Sequence, residues 1–141
     1  MVAMQLEAKN LHFAYKPGKT VLHDVSLGLE EGETLFVLGK NGCGKTTLLS
    51  CLAGLLSPIN GEVKLAGNAL SNFSPAERAQ RIALIPQMHT PAFAYTVRQM
   101  VMMGRAPYLS WLGSPSGKDQ EIVDEAEAGL ESCPWLPRCA A

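Results

Sequence analysis

The chain has 141 residues and a formal net charge of −1, from 12 Lys+Arg and 13 Asp+Glu. With 47% hydrophobic and 18% charged residues, the composition is typical of one globular domain and excludes an intrinsically disordered chain. The near-zero charge argues against a general nucleic-acid-binding protein, because affinity for a phosphate backbone requires a basic excess. The most apolar stretch, residues 48–56, is too short to span a bilayer and no signal peptide opens the chain, so we expect a soluble, cytosolic protein.

The first 65 residues have the alternating pattern and the turns of β-structure. Apolar positions from Leu6 onward predict a strand that ends at Tyr15, followed by a turn at Pro17-Gly18 and a second strand over residues 21–30. A further short strand is predicted over residues 62–65, after the turn that contains Gly61.

Two continuous apolar runs predict a second kind of strand. Residues 35–38 and 82–85 have no polar alternation, which is typical of strands buried on both faces of a sheet. Between them, residues 45–53 predict a helix that ends at Gly54.

Three more helices are predicted from their capping residues. Ser74 and Glu77 form a capping box with a proline at the first helical position, which predicts a short helix that ends near Arg81. Thr96 is the expected cap of a helix over residues 97–103. Ser116 and Asp119 cap a last helix, on which one apolar face is predicted from Ile122, Val123, Ala126 and Leu130.

The most specific motif is the octapeptide Gly39-Lys40-Asn41-Gly42-Cys43-Gly44-Lys45-Thr46, which has the form G-x-x-x-x-G-K-T. It follows a predicted buried strand and leads into a helix, the context expected of a phosphate-binding loop. Glycines allow backbone N–H groups to converge on phosphate oxygens at the positive end of the helix. In such loops the lysine, here Lys45, reaches the β and γ phosphates, and the following hydroxyl, here Thr46, is a ligand of Mg²⁺. The motif therefore predicts a nucleotide-binding protein.

The stretch GKNGCGKTTLLSCLAGLL resembles the loop and helix of ATP-binding cassette (ABC) ATPases. The resemblance covers about residues 5–131 and includes Gly61-Glu62-Val63, which is similar to the family's turn into an antiparallel subdomain. It implies the N-terminal half of an α/β P-loop NTPase: an antiparallel β subdomain, an incomplete parallel core sheet and the start of a helical subdomain. Residues 1–131 are thus expected to be a partial nucleotide-binding domain. Residues 132–141 are expected to be an aberrant tail from a frameshift or early stop, the alternative being a short protein whose tail has its own role.

The resemblance also implies which residues hold ATP and Mg²⁺. Tyr15 matches the aromatic that stacks on adenine, and Gln87 matches the Q-loop glutamine, which contacts Mg²⁺ or the attacking water. Residue type alone favours a half-buried aromatic at a strand end for Tyr15 and a solvated loop residue for Gln87. The phosphates are expected to bind the backbone of residues 41–47 and Lys45, and the metal is expected to bind Thr46 and Gln87. The implied cofactor-binding residues are Tyr15, Gly39, Asn41, Gly42, Cys43, Gly44, Lys45, Thr46 and Thr47, with Lys45 and Gln87 as catalytic residues.

A narrower resemblance is to the ATPase subunits of iron-chelate, haem and cobalamin importers. It rests on Tyr95-Thr96-Val97, on Met103-Gly104-Arg105-Ala106-Pro107-Tyr108 and on Pro115-Ser116-x-x-Asp119. It implies a cytoplasmic subunit, peripheral on the inner face of the membrane, that energises uptake of an iron-siderophore, haem or cobalamin-type compound. The implied partners are an integral-membrane permease, bound through the Q-loop and the helical region after it, and a second ATPase subunit in a head-to-tail dimer.

Three features that this family uses for hydrolysis do not occur in the sequence: a Leu-Ser-Gly-Gly-Gln signature, an apolar strand that ends in Asp-Glu, and a switch histidine. Only Ile122-Val123-Asp124-Glu125 imitates such a strand, and we reject it because its apolar residues share a face of the last predicted helix. The chain alone is therefore expected to be inactive as an ATPase. The alternative function is a non-hydrolysing nucleotide-binding fragment or an inactive truncated product; a small P-loop kinase is disfavoured, since no arginine cluster follows Gln87.

Overall fold

The computed structural model of the protein describes residues 4–87, 94–109 and 113–131. They belong to two compact units that divide between Leu84 and Ile85. The predicted tail at residues 132–141 lies outside the described residues. Within the described ranges, no helix is long and apolar enough to cross a membrane.

The first unit is built on a four-stranded antiparallel sheet with the strand order β2-β1-β3-β4. The strands are β1 (Met4–Lys16), β2 (Lys19–Glu30), β3 (Asn60–Leu65) and β4 (Asn68–Ala69). The β1–β2 hairpin turns at Pro17-Gly18, where the positive φ of 79° at Gly18 is a conformation that glycine adopts without strain. The predicted hairpin and the antiparallel β subdomain are therefore confirmed, whereas β4 had not been predicted.

Helix α1 (Lys45–Leu52) covers one face of this sheet and closes the hydrophobic core. It starts after Gly44, which has a φ of 100°, and ends before Gly54, which has a φ of 70°. The predicted helix and its glycine stop are confirmed. The buried core residues are Ala8, Leu11, Phe13, Leu22, Val63 and Leu65 from the sheet, Leu48, Cys51 and Leu52 from α1, and Leu70.

A short helix, α2 (Pro75–Ala79), follows a 3₁₀ turn at Leu70–Asn72. The predicted capping box is present: the Glu77 amide donates to Ser74 Oγ at 3.3 Å, and the Ser74 amide donates to Glu77 Oε2 at 2.8 Å. One turn later, Arg78 Nη1 donates to the Gly54 carbonyl oxygen at 2.8 Å. Helix α2 is thereby tied to the end of α1.

The predicted strands at residues 35–38 and 82–85 are wrong as strands. Both segments lie outside the sheet, and several of their side chains are exposed: Phe36 to 79%, Leu38 to 89% and Ile85 to 90%. An apolar run forms a buried strand only where neighbouring strands supply hydrogen bonds and cover both faces. Among the described residues neither segment has such neighbours, so the two strands expected for the incomplete parallel core sheet are not formed there.

The second unit contains helices α3 (Val97–Met103) and α4 (Gly117–Glu131) and a 3₁₀ turn at Ala106–Tyr108. Thr96 caps α3, as predicted, and it forms with Gln99 a capping box that had not been predicted. Helices α3 and α4 are joined by ion pairs of Arg98 with Asp124 and Glu127.

The predicted apolar face of α4 is only partly correct. Val123 is fully buried and Ile122 is partly buried, but Ala126 and Leu130 are exposed. Helical spacing places these four side chains on one stripe, yet only Ile122 and Val123 of the four are covered by other described residues.

Candidate functional site

The glycine-rich loop closes around the side chain of its own lysine. Lys45 is the first residue of α1, and its Nζ donates to the carbonyl oxygens of Gly39 at 2.7 Å and Lys40 at 2.8 Å. The same atom lies 3.9 Å from Cys43 Sγ. Because an ammonium group has only donors, these contacts hold a positive charge inside the curve of the loop, at the N-terminus of a helix. Both features favour an anion at this place.

The curve of the loop depends on its glycines. Gly42 and Gly44 have positive φ angles of 79° and 100°. Residues other than glycine rarely adopt this backbone conformation. At Gly39 a Cβ atom would lie 2.7 Å from Cys43 Sγ, whereas at Gly42 it would have nothing within 4 Å. The loop therefore has the backbone freedom and, at Gly42, the open space that a phosphate-binding loop requires, so the residues present fit the polyphosphate of a nucleotide.

The two threonines after the lysine have different surroundings. Thr46 is exposed on the first turn of α1, and its carbonyl oxygen accepts a hydrogen bond from Ser50 Oγ at 2.8 Å. Thr47 is buried, with 6% of its surface exposed. The exposed hydroxyl is the one that suits a metal ligand, and the role of Thr46 in binding Mg²⁺ stays a prediction.

Tyr15 lies near the C-terminal end of β1 and reaches α1 through its phenol. The Tyr15 hydroxyl is 3.2 Å from Thr47 Oγ1, while the tyrosine ring forms a T-shaped pair with the ring of Phe13, with centroids 4.9 Å apart and planes at 84°. Tyr15 remains 64% exposed, so a planar group can approach it. The structure thus brings Tyr15 to the helix of the glycine-rich loop, as adenine stacking beside a phosphate cradle requires.

The side chain of Thr47 was missed as a functional group by the sequence analysis, which used only its backbone. Thr47 and Tyr15 are 32 residues apart, so no local pattern links them. The available signal was indirect: a second hydroxyl in the first turn of α1 points to a different side of the helix from the first.

Gln87 belongs to the second unit, where it lies in an exposed bend after residues 82–86. Its roles at Mg²⁺ and in catalysis stay predictions. The rejected acidic segment at residues 122–125 lies within α4, and its Asp124 pairs with Arg98. The interpretation of that segment as helix is confirmed.

The most strongly perturbed carboxyl group lies at the start of α4. Hydrogen bonds from the Ser116 hydroxyl at 2.6 Å and the Ser116 amide at 3.0 Å, together with Arg105 Nε at 2.9 Å, lower the pKa of Asp119 to about 2. The Arg105 guanidinium also lies 4.1 Å above the ring centroid of Tyr108. These contacts bind the start of α4 to the end of α3, which is a structural role.

Comparison with known proteins gives consistent results. Residues 22–134 match the profile of the ABC transporter family. The hemin import ATP-binding protein HmuV of Pseudomonas fluorescens is 52% identical over 121 residues, which are 86% of this chain and 46% of that protein. The petrobactin import ATP-binding protein FpuD of Bacillus anthracis is 40% identical over 124 residues, 87% of this chain and 45% of that protein.

One solved structure, of a metal-chelate type ABC transporter in an inward-facing conformation, aligns with a TM-score of 0.70 at 30% identity. The alignment covers 90% of this chain and 45% of that chain. The chain thus spans about half the length of the curated relatives it matches.

Proposed function

Because the chain belongs to the ABC transporter family of ATP-binding proteins, we propose that it binds MgATP as part of the ATPase subunit of an importer for hemin or siderophore-type iron compounds. The observation that carries the nucleotide part of this proposal is the Lys45 ammonium, held over the glycine-rich loop by two of its carbonyl oxygens. The solute part is supported by relatives whose names describe hemin and petrobactin import.

In the proposed site, different residues of the chain bind different parts of the nucleotide. Tyr15 offers an exposed ring to adenine, the backbone of residues 41–47 donates to phosphate oxygens, and Lys45 neutralises phosphate charge. Mg²⁺, when bound, would supply positive charge that offsets the negative charge of the phosphates. Thr46 is the proposed ligand of that ion in the first unit, and the role of Gln87 at Mg²⁺ is a separate prediction from the family resemblance.

The proposal extends to partners and location. We expect residues 1–131 to be the part of a nucleotide-binding domain that contacts a membrane permease through Gln87 and the helices after it. A second ATPase subunit, arranged head to tail, would complete the ATP site. Such a subunit works at the cytoplasmic face of the membrane.

Equilibrium dialysis with labelled ATP and Mg²⁺ tests the nucleotide site. Lys45→Ala should weaken binding by about tenfold or more, since hydrogen bonds to charged groups are worth about 1.5–3 kcal/mol. Lys40→Ala is the matched control, because it removes the same charge from the same loop while its carbonyl contact to Lys45 is kept. A smaller loss is expected for it, and equal losses in the two variants would contradict the assigned role of Lys45.

A chimeric protein tests the transport function. Residues 1–131 would replace the corresponding part of the P. fluorescens hemin import ATP-binding protein in a strain that lacks it, with hemin as the sole iron source. Growth is expected with the native segment and not with its Lys45→Ala form. Failure of both chimeras, with normal protein levels, would argue against an importer of this class.

A second candidate is a fragment that binds nucleotide without turnover. It is favoured by the exposure of Phe36 and Leu38, because these residues would be buried if the core sheet had formed. The glycine-rich loop is nevertheless present. Release of phosphate from ATP tests this second candidate: Lys45-dependent turnover by the chain alone would exclude a non-hydrolysing fragment, whereas absence of turnover agrees with both candidates.

A further inference from the structure

Thr47 is a buried side chain whose hydroxyl has a specific partner. It lies in the first turn of α1 and is 6% exposed. Threonine is branched at Cβ, so its χ1 angle is restricted in a helix. The position of Thr47 Oγ1 is therefore determined by the helix and its packing, which makes it a stiff anchor.

Tyr15 is anchored at two places. Its hydroxyl is 3.2 Å from Thr47 Oγ1, and its ring packs in a T-shaped arrangement with Phe13, which is a buried residue of the sheet. A tyrosine has only two side-chain torsions that place its ring. One contact at the ring and another at the phenol oxygen are enough to hold both torsions while Tyr15 stays 64% exposed.

We propose that Thr47 is a positioning residue for recognition of the nucleotide base: its buried hydroxyl holds Tyr15 as a preformed stacking platform at a fixed place beside the phosphate loop. This inference rests on the proposed MgATP site and adds a role for a side chain to it. Stacking on a ring that is already held avoids the entropy cost of ordering that ring upon binding.

The arrangement separates base recognition from phosphate binding within one helical turn. Lys45 and the loop backbone hold phosphates, and the Thr47 hydroxyl acts only through Tyr15. Removal of the Thr47 hydroxyl should therefore weaken the binding of a ligand that has a base. It should affect the binding of a polyphosphate without a base much less.

The test compares ATP with inorganic tripolyphosphate, both with Mg²⁺, by calorimetry on the full chain. The variants are Thr47→Val, which has nearly the same shape without the hydroxyl, Tyr15→Phe, which keeps the ring, and the two combined. Each single variant should weaken ATP binding by about threefold to tenfold, the worth of one hydrogen bond. Binding of tripolyphosphate should change by less than about twofold, and the double variant should be no weaker than either single one, since both remove the same contact.

Thr47→Ser and Tyr108→Phe are the controls. Thr47→Ser keeps the hydroxyl and should restore most of the ATP affinity, whereas Tyr108→Phe removes a phenol from the second unit and should change neither ligand. Equal losses for ATP and tripolyphosphate in Thr47→Val would mean that the hydroxyl acts on phosphate, and losses that multiply in the double variant would mean that the two hydroxyls act independently. Either result overturns this inference but not the proposed function. The same holds if Thr47→Ser binds ATP as weakly as Thr47→Val does. Absence of any Lys45-dependent binding by the unaltered chain would instead contradict the proposed function, and the inference with it.

Discussion

Gly44 lies so close to Val21 that a Cβ atom at Gly44 would be 3.2 Å from Val21 Cγ1 and 3.3 Å from the Val21 carbonyl oxygen. The contact joins the last glycine of the phosphate loop to strand β2. It explains how a loop of small, flexible residues is held in one place: the N-terminus of α1 rests directly on the sheet. The shape of the candidate site therefore depends on the antiparallel subdomain as well as on the loop.

Gly44→Ala should impair both folding and nucleotide binding. The substitution combines a φ of 100° with crowding against Val21, whereas Gly18→Ala meets a φ of 79° in open space. We expect Gly44→Ala to lower the free energy of unfolding by about 1–3 kcal/mol more than Gly18→Ala does. Urea unfolding of the two variants measures this difference, and equal values would mean that the loop moves away from β2 without cost.

Gly61→Ala should disrupt the pairing of β1 with β3. A Cβ atom there would lie 2.3 Å from the Lys9 carbonyl oxygen, and neighbouring backbone cannot move aside as a flexible side chain would. Gly67→Ala is the control, because Gly67 has a similar positive φ of 78° with nothing within 4 Å. Thermal unfolding should give a clearly lower midpoint for Gly61→Ala than for Gly67→Ala; similar midpoints would contradict this close approach.

Substitution by alanine should destabilise the protein strongly at one leucine and hardly at all at another. Leu11 is fully buried and Leu38 is 89% exposed. Leu11→Ala should lower the free energy of unfolding by about 2–5 kcal/mol through loss of buried surface and the cavity left behind. Leu38→Ala should change it by less than about 0.5 kcal/mol while it reduces self-association, since exposed apolar segments promote aggregation.

Sedimentation velocity at several concentrations measures this self-association. Leu38→Asp should reduce it further than Leu38→Ala. A large loss of stability in Leu38→Ala would mean that residues 35–38 are packed after all.

The α3–α4 pair should lose stability in acid through Asp119. Its folded-state pKa of about 2 lies below the ordinary value of 3.8, so its contribution to stability is fully present above about pH 5 and is lost as the pH falls through 2. The difference in stability between the unaltered chain and Asp119→Asn should therefore be largest near neutral pH and shrink between about pH 5 and pH 2. Helix content during urea unfolding at a series of pH values measures it.

Asp124→Asn is the control for this acid effect. Its partner Arg98 is partly exposed and keeps a second contact to Glu127, so a small loss is expected. A difference for Asp119→Asn that stays constant down to pH 2 would show that the Asp119 carboxylate is not what stabilises the start of α4.

Local signals in the sequence predicted much of this molecule correctly. The capping box at Ser74 and the capping residue Thr96 predicted the starts of α2 and α3, because a cap involves residues only three positions apart. The octapeptide from Gly39 to Thr46 predicted a phosphate-binding loop, since each glycine and the lysine are needed at a fixed spacing. The longer stretch over residues 39–56 indicated the ABC transporter family, which the match over residues 22–134 confirms.

The sequence failed where an outcome depends on distant neighbours. The apolar runs at residues 35–38 and 82–85 have the composition of core strands, but a strand requires partners, and none of the described residues pairs with them. Sequence by itself thus determined the family, the loop and the helix starts. Only the tertiary structure decided that Gly44 rests on β2 and that the Thr47 hydroxyl meets Tyr15 across 32 residues, because such contacts arise from packing and leave no trace in local spacing.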